Sequence, residues 1–133
     1  MNGKKALVFM HIPYDGALGI TGTPYNGMNV ASILEEHSND IIAVIHGHTH
    51  YDNVVRLHNL NNISVCCDAP RDITSHIGEG KEFPEPIVRN WIAYPRKIGT
   101  LSEYCMDFVV VNTENRSVKM FRFGCGTDRL ITN

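Results

Sequence analysis

The feature that most constrains the fold is an unbroken apolar run, Ile41–Ile45, that leads directly into the sequence His-Gly-His-Thr-His at residues 46–50. Five consecutive apolar residues predict a strand covered on both faces, because a strand with one solvated face alternates apolar and polar residues. Gly47 permits backbone angles that a side chain would forbid, so we expect the chain to turn sharply there. The segment therefore predicts a buried strand whose end presents histidine side chains close together.

A second apolar run, Ala6–Met10, ends at His11 and predicts another strand of the same kind. The glycine-rich stretch Pro13–Gly27 predicts a long loop, a feature that is often functional inside a compact domain. A helix is expected between the two strands, and strand, helix, strand is typical of a parallel pair joined by a crossover. Parallel strands end at the same edge of a sheet, so His11 and the later histidines are predicted to be neighbours.

The connecting helix is predicted to run from Asn29, as its N-cap, to about His37. Its buried face is expected to carry the apolar residues Val30, Ile33 and Leu34. Met28 is predicted to pack against Ile33 as a hydrophobic staple.

The remainder of the chain is predicted to be rich in β-structure. Short strands are expected at Asn53–Leu57 and Ile63–Cys67, joined by a turn at His58–Asn62, and Asp68–Lys97 is expected to be irregular. Tyr104–Val111 and Ser117–Phe123 predict a hairpin with a five-residue turn at 112–116. The sequence thus indicates one domain, residues 1–133, of the α/β class and β-rich towards its C-terminus.

Composition narrows the functional classes. A formal net charge of -2 without a basic stripe argues against a nucleic-acid partner. No apolar run is long enough for a membrane span, and Ala6–Met10 is too short for a signal-peptide core, which favours a cytoplasmic protein. The four cysteines lack Cys-x-x-Cys spacing and lie in apolar surroundings, so we expect buried reduced thiols.

Three histidines, His11, His48 and His50, are the candidate metal ligands. Neutral imidazole is the commonest protein ligand for transition metals. A His-x-His pair in an arbitrary loop is more often an exposed pair without function. Here the preceding buried strand, the glycine and the second strand ending in a histidine favour metal binding over that alternative.

These residues resemble a known family. Gly47-His48-Thr49-His50 after an apolar strand, with an earlier strand ending in His11, is similar to the last two metal-binding motifs of the calcineurin-like metallophosphoesterases. The resemblance covers the whole chain as the C-terminal half of such an enzyme and implies that half of an α/β/β/α sandwich. It implies that His11 and His48 bind one divalent ion, Mn, Fe, Zn or Ni, and that His50 binds its neighbour.

The three earlier motifs of that family, Asp-x-His, Gly-Asp-x-x-Asp and Gly-Asn-His, are absent from these 133 residues. We therefore predict a C-terminal portion that is inactive alone and that binds metal incompletely, because stable sites normally use three or more protein ligands. If an N-terminal half were supplied, the expected chemistry would be hydrolysis of a phosphoester substrate at a two-metal site.

Four further residues are weaker candidates. His46 is predicted to support a metal ligand or the core more readily than to bind metal itself. Asp52 is a possible ligand, but a role as a turn residue is favoured. Tyr14 and Asp15, in the loop after His11, are candidates for contacting substrate or orienting a ligand.

Two other functions fit parts of the pattern. A sheet that has lost half of its fold would leave an edge and an apolar face uncovered, which favours a non-catalytic assembly module and a homo-oligomer. A small metal-dependent β-barrel of the cupin type also carries His-x-His. That fold is less favoured, because it needs a nearby glutamate where the chain has Tyr51, Asp52 and Asn53.

Overall fold

The computed structural model describes residues 3–18, 24–48, 53–65, 99–124 and 126–133. These residues form two sheets and one α-helix, which confirms the predicted α/β class. The elements are β1 Ala6–Met10, α1 Gly27–Glu36, β2 Ile41–His46, β3 Asn53–Leu57, β4 Leu60–Ser64, β5 Cys105–Asn112, β6 Ser117–Gly124 and β7 Arg129–Thr132. Single turns of 3-10 helix lie at Gly16–Leu18 and Leu101–Glu103. The described part of the chain contains no helix with the length and apolar run needed to cross a bilayer.

The first sheet has the strand order β1-β2-β4-β3. β1 and β4 both pair with β2 in parallel, and β3 closes the sheet as an antiparallel edge. The predicted parallel pair of β1 and β2 is confirmed. Met10, His46 and Ser64 are direct neighbours across this sheet, so the carboxyl ends of three parallel strands meet at one edge.

The first sheet lies between α1 and the second sheet. Every residue of β2 is buried, as expected for an apolar run covered on both sides. One core faces the helix and contains Tyr14, Leu18, Ala31, Ile41, Val44 and Leu60. The other core joins the two sheets and contains Ile42, Ala43, Ile45, Ile63, Val118, Met120 and Ile131.

The helix begins earlier than predicted. Asn26, not Asn29, is its N-cap, and the Asn26 side chain makes no capping hydrogen bond. The predicted staple is also wrong, because Met28 and Ile33 are 64% and 58% exposed. Gly27 lies so close to the carbonyl of Tyr14 that a Cβ there would overlap it. Gly27 and Ala31 are the buried residues of the helix, and the predicted face residues Val30 and Leu34 pack against the same core, whereas Ile33 is exposed.

The hairpin of β3 and β4 is tighter than predicted. His58 and Asn59 alone form the turn, with φ of 51° and 57°, and β4 begins at Leu60 rather than Ile63. Two left-handed residues between paired strands are the geometry of a type I′ turn. Asn61 and Asn62, predicted as turn residues, are buried within β4.

The second sheet is antiparallel, in the order β5-β6-β7. The predicted hairpin is confirmed, with Asn112 opposite Ser117, whereas β7 was not predicted. Cys105 is buried as a reduced thiol, as expected. Cys66, Cys67 and Cys125, and the predicted irregular segment 68–97, lie outside the described residues.

Candidate metal centre

His11 and His48 come together at the carboxyl edge of the first sheet. β1 and β2 run in parallel with Met10 opposite His46, so each histidine follows its strand by one or two residues. The Gly47 N–H donates to the His11 carbonyl at 3.1 Å, and the Val65 N–H donates to the His46 carbonyl at 2.9 Å. These backbone hydrogen bonds extend the sheet past its last paired residues and hold the two histidines beside each other.

The two rings approach each other through nitrogen atoms. His48 Nδ1 lies 3.4 Å from His11 Nε2, and the rings meet edge to face with centroids 5.2 Å apart. Two imidazole nitrogens bound to one tetrahedral ion at about 2.0 to 2.1 Å would lie about 3.4 Å from each other. The pair thus fits two donors to a single ion, and the exposed position of His11 leaves the site open to solvent.

The sharp turn after β2 is made by His48 rather than by Gly47. His48 has φ of 64°, a left-handed conformation that is uncommon for a residue with a side chain. The φ of Gly47 lies outside that region, and a Cβ there would make only ordinary contacts, with His11 Nδ1 at 3.8 Å and the Val65 carbonyl oxygen at 4.0 Å. Residues held in such conformations are concentrated at functional sites, where packing offsets a cost on the order of 1 to 3 kcal/mol.

His46 lies beneath these two residues in the core. Its side chain is 1% exposed, and its Nδ1 lies 3.4 Å from the Ser64 hydroxyl. Nε2 has no hydrogen-bond partner among the described residues. Burial lowers the pKa of His46 to about 4, against a smaller opposing effect of a backbone hydrogen bond at Gly47. His46 is therefore neutral at pH 7.

Tyr14 and Asp15 contact the β3–β4 hairpin, Tyr14 through β4 and Asp15 through the turn. The Tyr14 hydroxyl donates to Asn62 Oδ1 at 2.9 Å, and burial raises the pKa of Tyr14 to about 12. Asp15 Oδ2 lies 2.7 Å from His58 Nε2. Burial acts to raise the pKa of Asp15, but hydrogen bonds from His58 and the Ala17 N–H outweigh it and lower that pKa. These contacts anchor the loop that follows His11.

Sequence reasoning missed the partners of these two residues. The His58 side chain is only 22% exposed, and its Nδ1 also lies 3.5 Å from Glu35 Oε2. The sequence placed His58 in a turn, and nothing in that turn indicated the two carboxylates that face its ring. Asn62 was assigned to the same turn, and only a shorter turn brings its amide into the sheet.

His50 and Asp52 lie outside the described residues. Within the described ranges, no group of three or more His, Cys, Asp or Glu side chains is arranged to hold a metal ion. The described residues thus contribute two adjacent imidazoles, which fit part of a metal site.

Comparisons with protein-family models, with curated proteins and with solved structures gave no match to this chain.

Proposed function

We propose that this chain supplies part of the metal centre of a phosphoester hydrolase of the metallophosphoesterase type, built on that family's α/β/β/α sandwich. The observation that carries the proposal is the 3.4 Å separation of His11 Nε2 and His48 Nδ1 at the carboxyl ends of two parallel strands. Rigid strands fix such ligands, while the loops beyond them leave room for substrate.

In this proposal His11 and His48 bind one divalent ion, Mn, Fe, Zn or Ni, and His50 binds a second. Such a pair of ions, when bound, supplies an activated water and neutralises charge on the phosphate oxygens. The task of this chain is to orient its imidazoles. The hydrogen bond from the Gly47 N–H to the His11 carbonyl and the left-handed backbone conformation of His48 hold the two imidazoles in place without a bound ion.

Metal binding by the isolated chain tests the ligand assignment. We expect Zn²⁺ titrated by calorimetry to bind the native chain and to bind His48→Ala and His11→Ala at least tenfold more weakly, because each loses one of few ligands. His37→Ala is the matched control. His37 is an exposed histidine between the end of α1 and the start of β2, whereas His48 follows the end of β2. Equal affinities for all four proteins would overturn the assignment.

Catalysis tests the rest of the proposal. We expect the 133-residue chain to hydrolyse bis(p-nitrophenyl) phosphate no faster than buffer containing the same Mn²⁺. Addition of a polypeptide that carries Asp-x-His, Gly-Asp-x-x-Asp and Gly-Asn-His should raise the rate, and His48→Ala should abolish that gain. High activity of the purified chain alone would contradict an incomplete site.

A second candidate function is non-catalytic assembly. The outer face of the second sheet carries partly exposed apolar side chains: Met106, Phe108, Val110, Phe121, Phe123 and Leu130. An apolar patch of this kind is typical of an interaction surface, and we infer that a second copy of this chain would cover it. Light scattering should then give a dimer for the native chain and a monomer for Phe108→Lys, with Thr113→Lys in the adjacent turn as the control. A monomeric native chain would exclude this candidate.

A further inference from the structure

A polar pocket lies at the end of the first sheet opposite the histidines. It has a volume of about 400 Å³ and is lined by Ser38, Asn39, Arg56, Asn59, Arg116 and Asn133. The carbonyl of Ile41 accepts a hydrogen bond from Arg116 at this pocket. Ile41 is the first residue of β2 and His46 is the last. At about 3.3 Å per residue, they lie roughly 17 Å apart. The pocket is therefore separate from the candidate metal centre.

Two arginines reach this pocket and are held by neutral groups. Arg116 Nη2 donates to the carbonyls of Ser38 and Ile41 at 2.9 and 3.1 Å. Arg56 Nη1 donates to the side-chain oxygens of Asn133 and Asn61 at 2.7 and 3.3 Å. Asn133 Nδ2 lies 3.4 Å from the Ile41 carbonyl, so both guanidinium groups belong to one network.

These acceptors do not neutralise the charge of either arginine. Neither Arg56 nor Arg116 forms an ion pair within the described residues, and Arg116 Nε is buried there without a partner. The nearby carboxylates of Asp40 and Glu35 contact other residues. Asp40 pairs with Lys5 at 3.3 Å, and Glu35 accepts a hydrogen bond from Asn59 at 3.1 Å and lies 3.5 Å from His58.

We propose that this pocket binds the phosphate group of a small molecule. Two guanidinium groups without counter-ions make a concave surface that attracts an anion, and the guanidinium fork matches the oxygens of a phosphate. The volume of about 400 Å³ is within the range of about 300 to 1,000 Å³ that is usual for small-molecule sites, so the pocket has room for more than the phosphate itself.

The test uses inorganic phosphate and phenyl phosphate with the full 133-residue chain, in EDTA so that no metal contributes. We expect saturable shifts of the side-chain amide signals of Asn59 and Asn133 in NMR titrations. Tighter binding of phenyl phosphate would identify an esterified ligand, and tighter binding of inorganic phosphate would identify the free ion. Either result supports the proposal.

Variants decide whether the arginines are responsible. Arg56→Gln and Arg116→Gln should each weaken phosphate binding at least tenfold, whereas Lys119→Gln, which removes one charge from the exposed face of β6, should leave it unchanged. Arg56 is exposed, so its variant stays folded even if Arg116→Gln does not. The proposal is overturned if neither probe shifts these amides, or if Arg56→Gln binds as tightly as the native chain.

Discussion

Three buried polar side chains, those of Tyr14, Asn62 and His46, support the loop and the strand next to the histidine pair. The Tyr14 hydroxyl donates to Asn62 Oδ1, and the Asn62 amide donates in turn to the carbonyls of Leu57 and Leu60. His46 sits in the same sheet with one ring nitrogen unpartnered among the described residues. Buried polar groups stabilise a fold only while they are paired, so these residues should be sensitive to small changes.

Tyr14→Phe should lower the free energy of unfolding by about 1 to 3 kcal/mol, because Asn62 Oδ1 would remain buried without its donor. Tyr25→Phe is the matched control, since that side chain is fully exposed and its change should have almost no effect. Urea unfolding followed by circular dichroism measures both. Equal stabilities of the two variants would show that the Tyr14 hydrogen bond contributes nothing.

His46 should make the protein sensitive to acid. Its pKa is about 4 in the folded state against about 6.5 in an unfolded chain. Between these values the unfolded state binds more protons, so stability rises with pH, by about 3 kcal/mol over the whole range. The lowered pKa values of Asp15 and Asp40 also make stability rise with pH. Their effect lies at pH values below 3.8, the ordinary pKa of these carboxyl groups.

The measurement is the free energy of unfolding at several pH values from 4.5 to 7. His46→Gln should flatten this dependence, whereas His37→Gln, at an exposed helix end, should preserve it. An unchanged slope in His46→Gln would assign the acid sensitivity to another group.

At the scale of elements, contacts between elements override local preferences. Gly27 begins α1, where an alanine would normally favour the helix by about 1 kcal/mol. The carbonyl of Tyr14 occupies the space that a Cβ would need. One turn further along the helix, Ala31 is buried against the sheet, while Ile33 is exposed.

Gly27→Ala should therefore destabilise the protein, by about 1 to 3 kcal/mol, despite its better helix propensity. Asn29→Ala, on the exposed side of the same helix, should be neutral or slightly stabilising. Thermal unfolding of both variants is the measurement. A higher melting temperature for Gly27→Ala would show that the loop at Tyr14 moves aside readily.

The second sheet contains a buried ionic cluster. The Arg122 and Asp107 side chains are 2% and 5% exposed, with Nε to Oδ1 at 2.9 Å, and Arg129 Nη2 approaches Asp107 Oδ2 at 2.7 Å. The Asp107 carboxylate of β5 thus pairs with Arg122 of β6 and with Arg129 of β7, and these ion pairs connect the three strands.

Asp107→Asn should cost about 3 to 5 kcal/mol, because both guanidinium groups would stay buried without the carboxylate. Glu114→Gln, in the exposed turn between β5 and β6, removes the same charge and should change stability by less than about 0.5 kcal/mol. Chemical denaturation separates the two outcomes. Similar small losses in both would mean that the cluster relaxes to reach solvent.

At the scale of the whole molecule, the first sheet separates the two proposed sites, which differ in chemistry. The histidines lie at its carboxyl edge and the arginine pocket lies at its other end, roughly 17 Å away along β2. Residues more than about 7 to 10 Å apart without shared partners behave independently, and physiological salt screens charges beyond about 8 Å.

We therefore expect His48→Ala to leave the affinity for phosphate unchanged within twofold, and Arg56→Gln to leave the affinity for Zn²⁺ unchanged within twofold. Calorimetric titration of the two variants and of the double variant is the measurement. A double variant that departs from the combined single effects would reveal coupling through the sheet.

The sequence by itself determined the elements with strong local signals. Apolar runs predicted β1 and β2, and their parallel pairing predicted that His11 and His48 would be neighbours. The hairpin of β5 and β6 followed from two strand-like segments on either side of a five-residue turn. What only the tertiary structure decided depends on contacts between residues distant in sequence.

Four features belong to that second group: the close approach of Gly27 to the Tyr14 carbonyl, the pairing of His58 with Asp15, the burial of Asn62, and the convergence of Arg56 with Arg116. Each depends on a partner at least 13 positions away in the chain, and local periodicity carries no information about such partners.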